Sequence, residues 1–236
     1  MESLKLYYPD GERAIDDAWT FVAFYSQVYF FAAGNNTLER KMDKLLHAEE
    51  LTRDDIADIL VWKTGGHLNQ DAGVISCGYN TKIRVTEVAK LFDGKKAPHM
   101  AVPADTLCGL CKCQGIGFTY AMALMYFLSC GNIPIYDRFA HLALAAIQEG
   151  RRPGEIIPEG RLVLSPTIRN KDDAQKALDL YRKKFALLLT GNNLHEPLLG
   201  IPYSRDADRA LWAYGHLFNK TKRNKFRLST IKHAIA

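Results

Sequence analysis

What this chain lacks narrows it first. Cysteine is scarce and odd in number, five in 236 residues, and a chain of this length buries a core without covalent staples. The thiols therefore fit a reducing compartment rather than a disulfide framework. Long apolar runs are missing too. The richest early stretch, "FVAFYSQVYFFAA", is shorter than a membrane-spanning helix requires and is interrupted by Ser26 and Gln27, so it reads as a core helix. The opening "MESLKLYYPDGER" is read as carrying no signal peptide. Internal repeats and low-complexity tracts are absent. So are convincing strand pairs, with "RLVLS" the one modest strand candidate.

Acid is missing from one place in particular. "NKTKRNKFRLSTIKHAIA" carries Lys220, Lys222, Arg223, Lys225, Arg227 and Lys232 with no aspartate or glutamate among them. A solvated tail and a phosphate-contacting segment both fit such a run. Over the whole chain 31 Lys and Arg face 26 Asp and Glu, a mild excess that permits an anionic partner without requiring one.

What is present is mostly helical pattern. An apolar-rich stretch over residues 11–33 ends at Gly34. "NNTLERKMDKLLHAEE" offers Asn36 as a cap and Leu38, Met42, Leu45 and Leu46 at helical spacing. "LTRDDIADILVWKTGG" has Thr52 with Asp55 three residues later, the pattern of a capping box, and stops at Gly65 and Gly66. "NTKIRVTEVAKLFDGKK" repeats the scheme from Thr81 to Gly94. Pro103 suits a first helical turn. Residues 118–130 and 138–149 form the next helices, and "NKDDAQKALDLYRKKFALLLTGN" and "SRDADRALWAYGHLFNK" the last two. The expected fold is all-α, about nine helices, as a single unit over 1–236, with room for two lobes around a cleft.

The densest signal lies in "CQGIGFTYAMALMYFLSCGNIPIYDRFAH". Gly115 and Gly117 allow backbone angles other residues avoid, and leave room for a second backbone or a phosphate. A helix start just after them turns unpaired N–H groups outward, a natural phosphate seat. A plain tight turn between packed helices explains "GIG" equally well. A dinucleotide fingerprint does not, because Tyr120 stands where its third glycine belongs and a helix precedes the loop.

The next segment, "FTYAMALMYFL", is apolar almost all round and belongs in a domain centre. The thirteen residues 118–130, read as helix, rise about 20 Å. The extended stretch with Pro134 spans roughly 23 Å, enough to bring Asp137 back beside the glycine loop. Asp137 is also an ordinary candidate N-cap for a helix starting at Arg138.

This stretch resembles the helix-hairpin-helix DNA glycosylase superfamily, closest in flavour to 8-oxoguanine DNA glycosylase-like proteins. Gly115-Ile116-Gly117 matches the hairpin, Ala121 the small residue four positions on, and Pro134-Ile135-Tyr136-Asp137 the segment that delivers the aspartate. The likeness covers about forty residues and implies DNA as partner, in damaged duplex or single strand, with Asp137 catalytic. It implies a phosphate-binding hairpin of Gln114, Gly115, Gly117 and Thr119. No cofactor is required, with room for a monovalent cation at the hairpin. Two departures matter. Gln114 replaces the family's loop proline, and Thr119 stands where bifunctional members carry a Schiff-base lysine. Threonine forms no imine, so lyase chemistry by that route is not expected.

Other candidates weigh less. Cys108, Cys111 and Cys113 lack a separated second pair of metal ligands and read as small buried hydrophobes. The seven histidines show no HxxxH or HExxH spacing, although His141 sits one turn beyond Asp137. Lys63 and Trp212 are pocket candidates with His141, since a tryptophan stacks on a flipped base; core aromatics explain Trp212 as well. The expectation is thus a monofunctional, metal-independent DNA N-glycosylase, a base excision repair hydrolase acting on an oxidised purine. It is monomeric, off the membrane, and cytoplasmic at the nucleoid, or nuclear in a eukaryote. Its alternatives are a non-catalytic nucleic-acid-binding module that keeps the hairpin, and a helical protein-interaction domain.

Overall fold

A computed structural model describes residues 5–33, 37–78, 81–92, 96, 103–155, 157, 166–190 and 204–218. The expected strand "RLVLS", the helix ends at Gly34 and Gly94, the Asn36 cap and the basic segment 220–236 lie outside the described residues. The elements run β1 (Leu6–Tyr7), β2 (Ala14–Ile15), α1 (Ala18–Ala33), α2 (Thr37–His47), α3 (Arg53–Thr64), β3 (His67–Asn69), β4 (Val74–Cys77) and β5 (Thr81–Arg84). There follow α4 (Val85–Ala89), α5 (Pro103–Lys112), α6 (Phe118–Leu128), α7 (Arg138–Gln148), α8 (Lys171–Thr190) and α9 (Arg205–His216). The described chain is mostly helical, with nine helices.

Several helix ends form for the reasons their residues suggest. Thr52 caps α3 in a complete capping box, its hydroxyl accepting from the Asp55 amide at 3.2 Å while Asp55 Oδ2 accepts from the Thr52 amide at 3.0 Å. Gly65 closes that helix in the left-handed conformation, φ 65°, which carries no Cβ penalty for glycine. Pro103 opens α5. The α6 helix is buried on every side, with Ala121 through Phe127 fully covered.

Three expectations are corrected. The apolar stretch from residue 11 does not begin as helix. Its first residues pair in a short antiparallel hairpin, Leu6 opposite Ile15, and α1 starts at Ala18. Asp17 decides that start, its carboxylate accepting from the Thr20 amide at 2.7 Å and the Thr20 hydroxyl at 2.8 Å. Strand pairs are present after all. β3, β4 and β5 form an antiparallel sheet in the order β3-β4-β5, with Leu68 opposite Ile75 and Ile75 opposite Ile83. Thr81 accordingly opens a strand, not a helix, and α4 shrinks to five residues.

The chain falls into two compact units. The first comprises Met1–Asn35, Tyr136–Leu164 and Arg182–Ala236; the second comprises Asn36–Ile135 and Ser165–Tyr181. In the first, α9 packs on both α1 and α7. The rings of Phe21, Tyr25 and Tyr214 fill its core, meeting edge to face about 5 Å apart. Gly215 lets α9 approach α7: a Cβ there would stand 2.0 Å from the Phe139 carbonyl oxygen. In the second, α3 and α5 pack on α6, and the sheet lays Ile75 and Ile83 inward.

Candidate functional site

The glycine hairpin belongs to the second unit. The Cys113 and Ile116 amides donate to the Leu110 and Cys113 carbonyls at 3.0 and 3.1 Å, making two successive turns after α5. Gly115 is left-handed, φ 79°, and a Cβ on it would lie 2.5 Å from the Lys82 carbonyl oxygen and 2.9 Å from Ile83 Cγ1. Two demands therefore fall on this glycine, a conformation and a space. The neighbour that needs the space is the backbone of β5.

Gly117 differs. Its φ of −94° and ψ of 176° are open to any residue, it is exposed, and a Cβ on it would meet nothing within 4 Å. As N-cap of α6 it supplies no side-chain hydrogen bond. The first turn of α6 thus begins without a side-chain cap beside open space, an arrangement that suits an anion. Gln114 is exposed, Thr119 is half-buried in that first turn, and Ala121 is fully covered.

Asp137 belongs to the first unit. It is half-buried and caps α7, with Oδ1 accepting from the Phe139 amide at 2.7 Å. The capping role weighed from sequence is real. It also fixes the carboxylate's orientation, and a helix start favours negative charge there. Two residues before it, the Ile135 carbonyl accepts from the buried Tyr181 hydroxyl at 2.7 Å. Tyr181→Phe is expected to cost about 1 kcal/mol by leaving that carbonyl unsatisfied, seen as a lower denaturant midpoint at unchanged slope; an unmoved midpoint would remove this bond from the account.

Around the first turn of α7 gathers an aromatic group that sequence did not assemble. The Phe139 ring stacks on His216 at 3.5 Å and lies 5.8 Å from Trp212, which in turn sits 4.1 Å from His216 and 5.1 Å from Tyr29. The Arg138 guanidinium stands 4.5 Å above the Phe139 ring. Trp212 is therefore one residue removed from Asp137 through Phe139, and is half-buried. His141 is buried, its ring 6.0 Å from Tyr136, and its amide donates to the Asp137 carbonyl at 2.9 Å. The helical spacing of Trp212 and His216 on α9 was the signal available for this group.

Lys63 lies in the second unit, its ammonium 5.6 Å over the Trp62 ring. Trp62 is itself fixed, donating from Nε1 to the buried Glu39 carboxylate at 2.6 Å and meeting Phe127 at 6.0 Å. The Cys111 thiol is pushed up to about 12, by burial first and then by the neighbouring Cys108 and Cys113, so it stays protonated at neutral pH. Among the described residues no group of three or more metal-ligating side chains occurs.

Sequence reasoning missed a cavity of about 520 Å³ in the second unit, lined by Lys41, Arg53, Asp58, Leu68, Gly73 and Val85 among others. It exists because the β3–β4 turn folds over the start of α3, and that sheet was not expected. Lys41 spans its rim, bonded to Asp58 and 3.3 Å from Asp55. The bond to Asp58 raises the lysine above its usual value. For Asp55, burial acts upward but the Thr52 and Lys41 hydrogen bonds prevail and lower it. These charges satisfy one another.

No family model, curated protein or solved structure matches this chain. Among the described residues no helix is long and apolar enough to cross a membrane.

Proposed function

We propose that this chain is a monofunctional DNA N-glycosylase of the helix-hairpin-helix type, releasing a damaged base, with an oxidised purine as its lesion. One observation carries the reading. The Asp137 carboxylate is anchored through one oxygen to the Phe139 amide, at the end of an extended segment pinned at Ile135. A carboxylate held this way suits electrostatic work at a developing cation.

Cleaving the glycosidic bond builds positive charge on the deoxyribose as the base departs. Asp137 stabilises that oxocarbenium-like charge and orients the attacking water, or takes its proton. The target nucleotide first leaves the stack, at a cost of a few kcal/mol. The hairpin contributes position: the start of α6 beside Gly117 seats a phosphate without reading sequence. A monovalent cation at the hairpin carbonyls accords with the resemblance. The setting is base excision repair, at the nucleoid or in a nucleus, by a monomer.

The test is a panel of duplex oligonucleotides, each with one lesion (8-oxoguanine, uracil, hypoxanthine or an alkylated purine), followed by hot alkali. Strand scission on one of them is the expected result. Binding without scission across the panel would favour a non-catalytic module, for which the capping role of Asp137 suffices. Absence of nucleic-acid binding would favour a protein-interaction domain. Borohydride added during turnover is expected to trap no covalent complex, because Thr119 occupies the imine-forming position. A trapped adduct would assign lyase chemistry to another lysine.

A further inference from the structure

The three-stranded sheet has one greasy face and one polar face, and the polar face has no role so far. Along β4 and β5 burial alternates strictly. Ile75, Cys77 and Ile83 point inward, while Ser76, Lys82 and Arg84 are exposed. The pairing places His67, Ser76 and Lys82 in one row across the strands, and Asn69, Val74 and Arg84 in the next. These six outward positions hold two fixed cations, a histidine, two neutral hydrogen-bonding residues and one valine. None is acidic.

The sheet is also fastened to the hairpin. Gly115 packs against the carbonyl of Lys82 itself. The Tyr120 phenol in the first turn of α6 is pushed up by burial and by its contact with Cys77 of β4. The Cys113 thiol, at the start of the hairpin, is raised by burial and by the charge of Glu87 on α4. Lys82 therefore leaves its backbone at the point where the hairpin touches the sheet. Arg84 follows two residues on, about 6.7 Å further along the same face. Its contact with Glu87, at 3.4 Å between exposed side chains, is a weak surface pair.

We propose that the outward face of β3-β4-β5 is a second phosphate-binding surface, continuous with the hairpin, in which Lys82 and Arg84 take successive backbone phosphates of the same DNA strand. The inference rests on the DNA-binding reading above and extends it. Charge complementarity supports the occupant: long flexible cations on a face whose six outward strand positions hold no acid suit a polyanion that passes over the loop. Ser76, Asn69 and His67 add further hydrogen-bonding groups to the same strand. Such contacts position the nucleic acid and raise affinity without specifying a base.

The experiment uses the full chain and a short labelled duplex without a lesion, titrated by anisotropy over a series of salt concentrations. Lys82→Ala with Arg84→Ala is expected to lower the slope of log affinity against log salt by roughly 1.8, about 0.9 for each phosphate left without its cation. The charge-preserving pair Lys82→Arg with Arg84→Lys is expected to keep the slope. Both positions are exposed, so the melting temperature should not move, and a melting scan checks that the fold survives.

A slope unchanged in the alanine pair, with binding otherwise intact, overturns the sheet surface and leaves the glycosylase reading standing. A lowered slope in a protein that cleaves no lesion supports the surface and sinks the glycosylase reading instead. Competition by polyglutamate as effective as that by unlabelled duplex would overturn the assignment to nucleic acid. Failure of the unaltered chain to bind duplex at all overturns both.

Discussion

Asp137→Asn is expected to slow base release by on the order of 10²- to 10³-fold, the range seen when one transition-state charge stabiliser is removed. The choice of asparagine matters. Asp137 accepts the Phe139 amide at 2.7 Å as the N-cap of α7, and asparagine caps a helix about as well as aspartate. Stability should therefore shift by only a few tenths of a kcal/mol. Asp137→Ala removes both functions and is expected to lose about 1 kcal/mol of stability as well as activity. The pair of variants separates capping from chemistry. Single-turnover scission at saturating protein, beside a melting curve for each variant, makes the measurement. Scission retained in Asp137→Asn would dismiss this carboxylate as the reacting group.

The largest structural effect is expected at a glycine that carries no chemistry. Gly215→Ala places a methyl group 2.0 Å from the Phe139 carbonyl oxygen and 2.6 Å from its carbon. Neither atom is the tip of a flexible side chain, so α9 and α7 must separate. Overpacking of this kind costs about 3 kcal/mol, which lowers the melting temperature by roughly 6–12 °C in a chain of this size. Phe139 supplies the amide that holds Asp137, so base release should fall in the same variant. Gly109→Ala is the control. That glycine lies inside α5, where a Cβ meets only Leu91 Cδ1 at 3.9 Å, and alanine there should stabilise by about 0.5–1 kcal/mol. A Gly215→Ala protein that melts with the unaltered chain would contradict the close approach of these two helices.

Much of the helical frame was legible before any coordinates. Thr52 and Asp55 announce a capping box and form one; Gly65 announces a left-handed stop; Pro103 opens its helix; Asp137 caps the one that follows it. Each is a local matter, a side chain meeting an amide within a few residues, so local sequence carries it. The sheet was not legible for a comparable reason. Its strands are three and four residues long, too short to show alternation against helical neighbours. Residues 81–84 and 85–89 together passed for one helix with a threonine cap. Neither "VISC" nor "TKIR" alternates cleanly, since each opens on two residues of one kind.

Other features lay beyond any local rule. Gly115 read as leaving room for a second backbone or a phosphate, and the backbone it meets is that of Lys82, more than thirty positions earlier in the chain. Nothing near Gly215 in the sequence tells that the Phe139 backbone comes against it. The gathering of Trp212, His216, Phe139 and Tyr29 around the start of α7 unites residues from three separate helices.

By itself, then, the sequence determined where several helices start, which of them is buried all round, and that a glycine pair and an acid flank it. Those properties follow from capping, propensity and periodicity, all of which act over a few residues. Only the tertiary structure decided why Gly115 and Gly215 must be glycine, and which strand lies against the hairpin. Steric exclusion and surface charge depend on what long-range folding brings together, and no short window of residues contains that information.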